Sequence, residues 1–275
     1  MSFEVPSARA LDDVPCRYGE SRLLVRGPQR DLGVPYFAFL GSSDTYGKFV
    51  HRPFPALLEE QVSTTCVNLG CANAGVDAFL NDAELIRVAG AARAVVVQVM
   101  GAQNLSNRFY RVHPRRNDRF LEPTALLSRV YPEVDFTEFN FNKHMLTALC
   151  ALSPDRFAAI RSELREAWVG RMNLLIESLK APVLLLWLRR EQSGAEAGSG
   201  QLGSDPLMIT RDMLDSLAPH CADVIDLQVQ PAGITGEAAM MVHGPLQAPV
   251  AESSIGPDTH MLIADRLAEA LRDHA

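Results

Sequence analysis

A three-layer α/β fold built on a parallel sheet is the architecture this 275-residue sequence predicts. Three observations carry it. Short runs rich in β-branched and aromatic residues recur along the chain, and patterns of helical period separate them. The clearest run, AVVVQVM at 94–100, is almost continuously apolar, as a strand covered by helices on both faces must be.

The elements follow in order. YFAFL at 36–40 is the first strand and ends in GSSDTYG. A helix is expected over 54–62, with Leu57, Leu58 and Val62 on one face. The second strand, 64–69, runs into GCANAG; 82–91 has helical spacing, and 94–100 is the third strand. PVLLLWL at 182–188 and DVIDLQV at 223–229 supply the last two. The long helix spans 154–180: Ser153 is placed to cap it, with Pro154 at its first position. Phe157, Ile160, Leu164, Trp168, Met172, Leu175 and Leu179 then recur at three- and four-residue steps, a stripe that reads as core. The final helix starts at Gly256-Pro257 and carries Leu262, Ile263, Leu267 and Leu271. Two segments break the alternation. An insertion at 101–152 after the third core strand reads as irregular and then partly helical, and QSGAEAGSGQLGS at 192–204 reads as a flexible loop. No repeat or boundary divides the chain, so one domain over 1–275 is expected.

Composition narrows the function. Lys+Arg 26 against Asp+Glu 33 gives a net charge of −7, opposite in sign to a nucleic-acid-binding surface. The first residues lack the basic and apolar regions of a secretory signal, and no apolar run reaches the length of a membrane span. Cys16, Cys66, Cys71, Cys150 and Cys221 are odd in number and show no CxxC pair. Reduced thiols, a cytoplasmic location and no membrane partner are therefore expected. There is no HExxH, GxGxxG or GxxxxGK[ST], so neither a metal nor a nucleotide cofactor is expected. Nothing in the sequence fixes an oligomeric state; a homodimer is expected only as the commonest assembly of soluble chains.

In an open parallel sheet, ligands bind beyond the carboxyl ends of the strands. That rule selects 41–47, 70–75, 101–107, 189–190 and 230–256, all rich in Gly, Ser, Asn or Arg. The insertion adds Arg108, Arg111, Arg115, Arg116 and Arg119 within twelve residues, with His113 among them and Asp118 the lone acid. Guanidinium forks match carboxylate, sulfate and phosphate, so Arg108, Arg111, Arg115, Arg116 and, after a later strand, Arg189 are candidate ligands for an anionic substrate. The competing reading is a solvated basic surface that pairs with the chain's own acids.

Set in order, these strand-end segments resemble the blocks of the SGNH (GDSL-like) hydrolases. FLGSSDTYG is similar to the first block, with Ser43 in the nucleophile position and Ser42 where the family has Asp. Asn68-Leu-Gly70, with Gly75 a few residues on, resembles the second, and VMGAQN the third, where either Gln103 or Asn104 supplies the amide. SIGPDTHMLIADRLAEAL occupies the place of the last block, although Asp258-Thr-His260 has one intervening residue instead of two. Strict alignment of the helix puts the family's histidine near Ser254, which makes His243 a substitute candidate. The resemblance covers nearly the whole chain and implies a three-layer SGNH/flavodoxin-like fold. It implies a serine hydrolase or acyltransferase acting on an ester, with an acidic or carbohydrate substrate. Ser43 would attack, and His260, oriented by Asp258, or else His243 would remove the proton. Gly75 and Asn104 would hold the oxyanion. The rival expectation is a non-catalytic relative that binds an anionic saccharide or a partner protein through its arginine-rich insertion.

Overall fold

The structure, a computed structural model, describes residues 15–190 and 202–274; most of the loop expected at 192–204 lies outside the described residues. Its strands are β1 (Tyr36–Leu40), β2 (Thr65–Asn68), β3 (Ala94–Gln98), β4 (Tyr110–His113), β5 (Arg116–Pro123), β6 (Val183–Arg190) and β7 (Asp223–Val229). Five of them form one sheet in the order β2-β1-β3-β6-β7, and every neighbouring pair is parallel. The helices are α1 (Ser43–Tyr46), α2 (Phe54–Val62), α3 (Val76–Leu80), α4 (Ala83–Gly90), α5 (Ala125–Val130) and α6 (Asn142–Leu152). They continue with α7 (Pro154–Ser178), α8 (Arg211–Leu217), α9 (Ala232–Thr235), α10 (Ala248–Glu252) and α11 (Pro257–Ala270).

Strand side chains alternate between two cores. Tyr36, Ala38 and Leu40 of β1 join Val95, Val97, Leu185 and the inner face of α7 on one side of the sheet. Phe37 and Phe39 join Val96, Leu184, Leu186 and the inward residues of α2 and α11 on the other. Burial on both faces is why these strands read as nearly unbroken apolar runs. The long helix begins where its cap predicts, with the Ser153 hydroxyl accepting from the Arg156 N–H and Pro154 at the first position. All seven residues of its expected stripe are buried.

The insertion differs from its sequence reading. Its first part is an antiparallel hairpin of β4 and β5, followed by α5 and α6. RVHPRRNDRF carries too few apolar residues to alternate visibly, and the pairing shifts register on either side of Val112. Among the described residues, no helix is long and apolar enough to cross a membrane.

The sheet order decides where a site can form. From β1 the chain crosses to β2 on one side and then to β3 on the other, so the loops after β1 and β3 diverge around a crevice.

Candidate functional site

A cavity of about 470 Å³ opens at that switch point. Ser42, Ser43 and Asp44 line it after β1, Asn73 and Ala74 after β2, and residues from Gln98 to Asn104 after β3. The insertion contributes Asp118, Phe141 and Lys143, β6 contributes Leu188 and Arg190, and Asp205 and Val250 complete the wall.

The turn bearing Ser43 is fixed by one buried amide. Gln98, the last residue of β3, accepts from the Ser42 N–H (3.0 Å), the Thr45 N–H (3.2 Å) and the Thr45 hydroxyl (2.7 Å) through Oε1. Its Nε2 donates to Asp44, which also pairs with Arg190 at 2.9 Å. Asn68 joins the end of β2 to the same turn by donating to the Thr45 carbonyl at 2.8 Å. Gly47 closes α1 in the left-handed region, at φ 65°.

Ser43 stands as the first residue of α1, and among the described residues its hydroxyl is held by Asn73 alone. It donates to Asn73 Oδ1 (3.1 Å) and accepts from the Asn73 N–H (3.0 Å). Neither His260 nor His243 hydrogen-bonds it. His260 is 1% exposed, in the first turn of α11, and lines a small side lobe of about 120 Å³ that also reaches Ser43 and Ser254. Its ring stacks on Phe54, and its Nδ1 accepts from the Phe54 backbone N–H at 3.2 Å. That bond places the ring proton on Nε2. Burial, reinforced by the nearby Arg26 guanidinium, pushes the ring's pKa down to about 3. In a catalytic triad Nδ1 donates to an acid and Nε2 is left free to take a proton; here both ends of the ring have the opposite polarity. Asp258, two residues away on the same helix, is exposed and does not bond the ring. His243 leans edge-on against Phe49 with Nδ1 3.3 Å from the Gly244 carbonyl oxygen.

The two expected oxyanion donors fare differently. The Gly75 N–H donates to the buried Asn117 side chain at 2.9 Å, as does the Ala78 N–H. Gly75 is needed for close approach instead: a Cβ there would lie 2.0 Å from the Asn104 carbonyl oxygen. Asn104 does face the cavity, with Oδ1 accepting from Asn142 at 3.2 Å and Nδ2 making no bond within the described residues. Gln103, the alternative, also lines the cavity, and its buried Oε1 has no partner among the described residues.

None of Arg108, Arg111, Arg115 or Arg116 lines the Ser43 cavity. Arg108 pairs with Glu163 on α7 at 2.7 Å, and Arg111 turns back onto the Asn107 carbonyl. Arg115 and Arg116 are exposed at the hairpin turn, where their backbone N–H groups donate to His113 Nδ1. Along the hairpin Val112, Asn117 and Phe120 are buried, whereas Arg108, Arg111, Arg115 and Arg116 are exposed. Arg189 pairs with Asp226 at 2.6 Å and lines a neighbouring cavity.

Sequence reasoning passed over Gln98, Asn73, Lys143 and Asp205, and gave Asp118 no role in the site. Gln98 left a visible signal: it is the lone polar residue of a strand buried at every position. Asp118 left none, since only the folded hairpin carries it under the strand ends. Its Oδ1 is buried without a partner among the described residues, and burial raises its pKa against the pull of Arg116, Arg119 and His113. Among the described residues, no group of three or more His, Cys, Asp or Glu side chains is placed to hold a metal ion.

Fold and cavity together define a parallel α/β protein with a polar, strand-end binding cavity. The chain belongs to the family described as a domain of unknown function, DUF6473, whose model matches residues 1–275. A search of the curated proteins found no match.

Proposed function

We propose that this chain is a non-catalytic, SGNH-like binding protein whose cavity at Ser43 takes a small polar ligand without acyl transfer. The polarity of the His260 ring carries the reading: its Nδ1 accepts from an N–H and its pKa is held near 3, so it is not a base for Ser43. Ser254 lines the lobe beside Ser43, which agrees with an alignment that leaves the family's histidine position empty of imidazole. The cavity's size suits a small metabolite, and its lining of amides, hydroxyls and mixed charges suits a hydroxyl-rich one such as a saccharide. A fluorophosphonate probe tests this: the wild-type protein should remain unlabelled under conditions that label a serine esterase. Labelling that disappears in Ser43→Ala would overturn it.

The second reading, a serine hydrolase or acyltransferase acting on an ester, is favoured by one observation. The Ser43 N–H has no acceptor among the described residues, and the unbonded Asn104 Nδ2 faces the same cavity. Two oxyanion donors would thus be ready. This reading requires His260 to leave the Phe54 N–H, or another group to remove the Ser43 proton.

A further inference from the structure

Next to the Ser43 cavity lies a second one of about 390 Å³, lined by Arg165 of α7, by Arg189 and Arg190 at the end of β6, and by Ser204 and Gln228. No carboxylate is among its described lining residues. Arg189 and Arg211 share Asp226, and Arg190 pairs with Asp44. Arg165 has no such partner. Its Nε donates to the Met208 carbonyl at 3.0 Å, and its terminal nitrogens make no hydrogen bond or ion pair among the described residues. Burial and the like charge of Arg161 both disfavour its charged form, which is the opposite of what a counterion would do. Trp187, packed against the Arg189 and Arg211 guanidinium groups, does not line the cavity, and its buried Nε1–H has no acceptor among the described residues. Three guanidinium groups therefore line the cavity; Asp226 and Asp44 answer Arg189 and Arg190, and Arg165 is left without an acid among the described residues. A partly buried cation without a partner is costly, and an oxyanion supplies both the missing charge and the missing acceptors.

We propose that this cavity is an oxyanion subsite, with Arg165 as its unpaired anchor, that takes the phosphate, sulfate or carboxylate group of a ligand whose body lies in the Ser43 cavity. Arg190 lines both cavities and is the wall between them. The placement of the ligand's body rests on the binding reading of the Ser43 cavity; the subsite itself does not. It relocates the anionic specificity expected of the insertion to the end of β6, where the sheet directs its loops.

Isothermal titration calorimetry at low ionic strength, with the full chain and inorganic phosphate, sulfate and acetate in turn, tests the subsite. Saturable binding of at least one anion is expected, weakened tenfold or more in Arg165→Gln and less in Arg165→Lys. Exposed Arg115→Gln should bind as the wild type does. Tetrahedral anions binding better than acetate assigns a phosphate or sulfate group; the reverse order assigns a carboxylate. Absence of saturable binding, or equal binding in a folded Arg165→Gln variant, overturns the proposal. Glu191 and Glu196 lie outside the described residues, and phosphate affinity that rises tenfold in a Glu191→Gln, Glu196→Gln variant would overturn it too, by making the chain its own occupant. A sugar phosphate should bind tighter than phosphate, and Asn104→Leu should abolish that gain while leaving phosphate binding intact. If phosphate binds but the sugar adds nothing, the reading of the Ser43 cavity fails and the subsite stands.

Discussion

His260 should give the protein an acid-sensitive stability that a single substitution removes. Buried against Phe54 and near Arg26, the ring has a pKa of about 3 in the folded chain, against about 6.5 when unfolded. Because the folded pKa is depressed, the unfolded chain binds the extra proton between these values, and stability rises with pH across that window. The contribution is complete above about pH 6.5 and is lost progressively as the pH falls toward about 3. For those two pKa values, the loss between pH 7 and pH 5 is about 2 kcal/mol. His260→Gln keeps an acceptor for the Phe54 N–H and removes the titration. Urea denaturation of both proteins at pH 7 and pH 5 should show the wild type losing about 2 kcal/mol more than the variant. Asp118, whose raised pKa has the opposite pH dependence, is present in both and cancels. Equal losses in the two proteins, or a His260 ring that titrates near pH 6.5 by NMR in the folded state, would refute the argument. The same result would reopen His260 as a base for Ser43.

Three other outcomes follow from the packing. Gly75→Ala drives a methyl group onto the Asn104 carbonyl oxygen and should cost about 1–3 kcal/mol, read as a lower urea midpoint at unchanged slope. Glu237 is buried and accepts from the Asp258 and Thr259 N–H groups at the start of α11, so Glu237→Ala leaves buried donors unpaired and should cost about 1–3 kcal/mol in the same assay. Burial, with Asp118 and Asp82 adding to it, pushes the Cys71 thiol up to about 11. It should therefore resist iodoacetamide at pH 7.5 in the native protein and react only on unfolding, as mass spectrometry of the alkylated peptide would reveal.

The chain by itself determined its layers. YFAFL, DVIDLQV and FPALLEEQV are bounded in the structure as their patterns predict, because strands buried on both faces and helices with one apolar stripe announce themselves in the order of residues. The serine at the first strand end and the amide beyond the third were legible for the same reason: a parallel sheet gathers its ligand-facing loops at one edge. What those residues touch was decided only by the tertiary structure. Nothing near Gly75 in the chain indicates that its N–H would be taken by Asn117, and nothing near His260 indicates that its ring would accept from Phe54. The arginines of the insertion formed the densest basic run, yet Arg115 and Arg116 sit exposed at the hairpin turn, away from the Ser43 cavity. The guanidinium without an acid among the described residues came from the middle of α7, a helix whose periodicity identified only its buried face. Periodicity records which side of an element meets the core. A hydrogen-bond partner or a counterion arrives from a segment distant in sequence, so its identity exists only once the chain has closed.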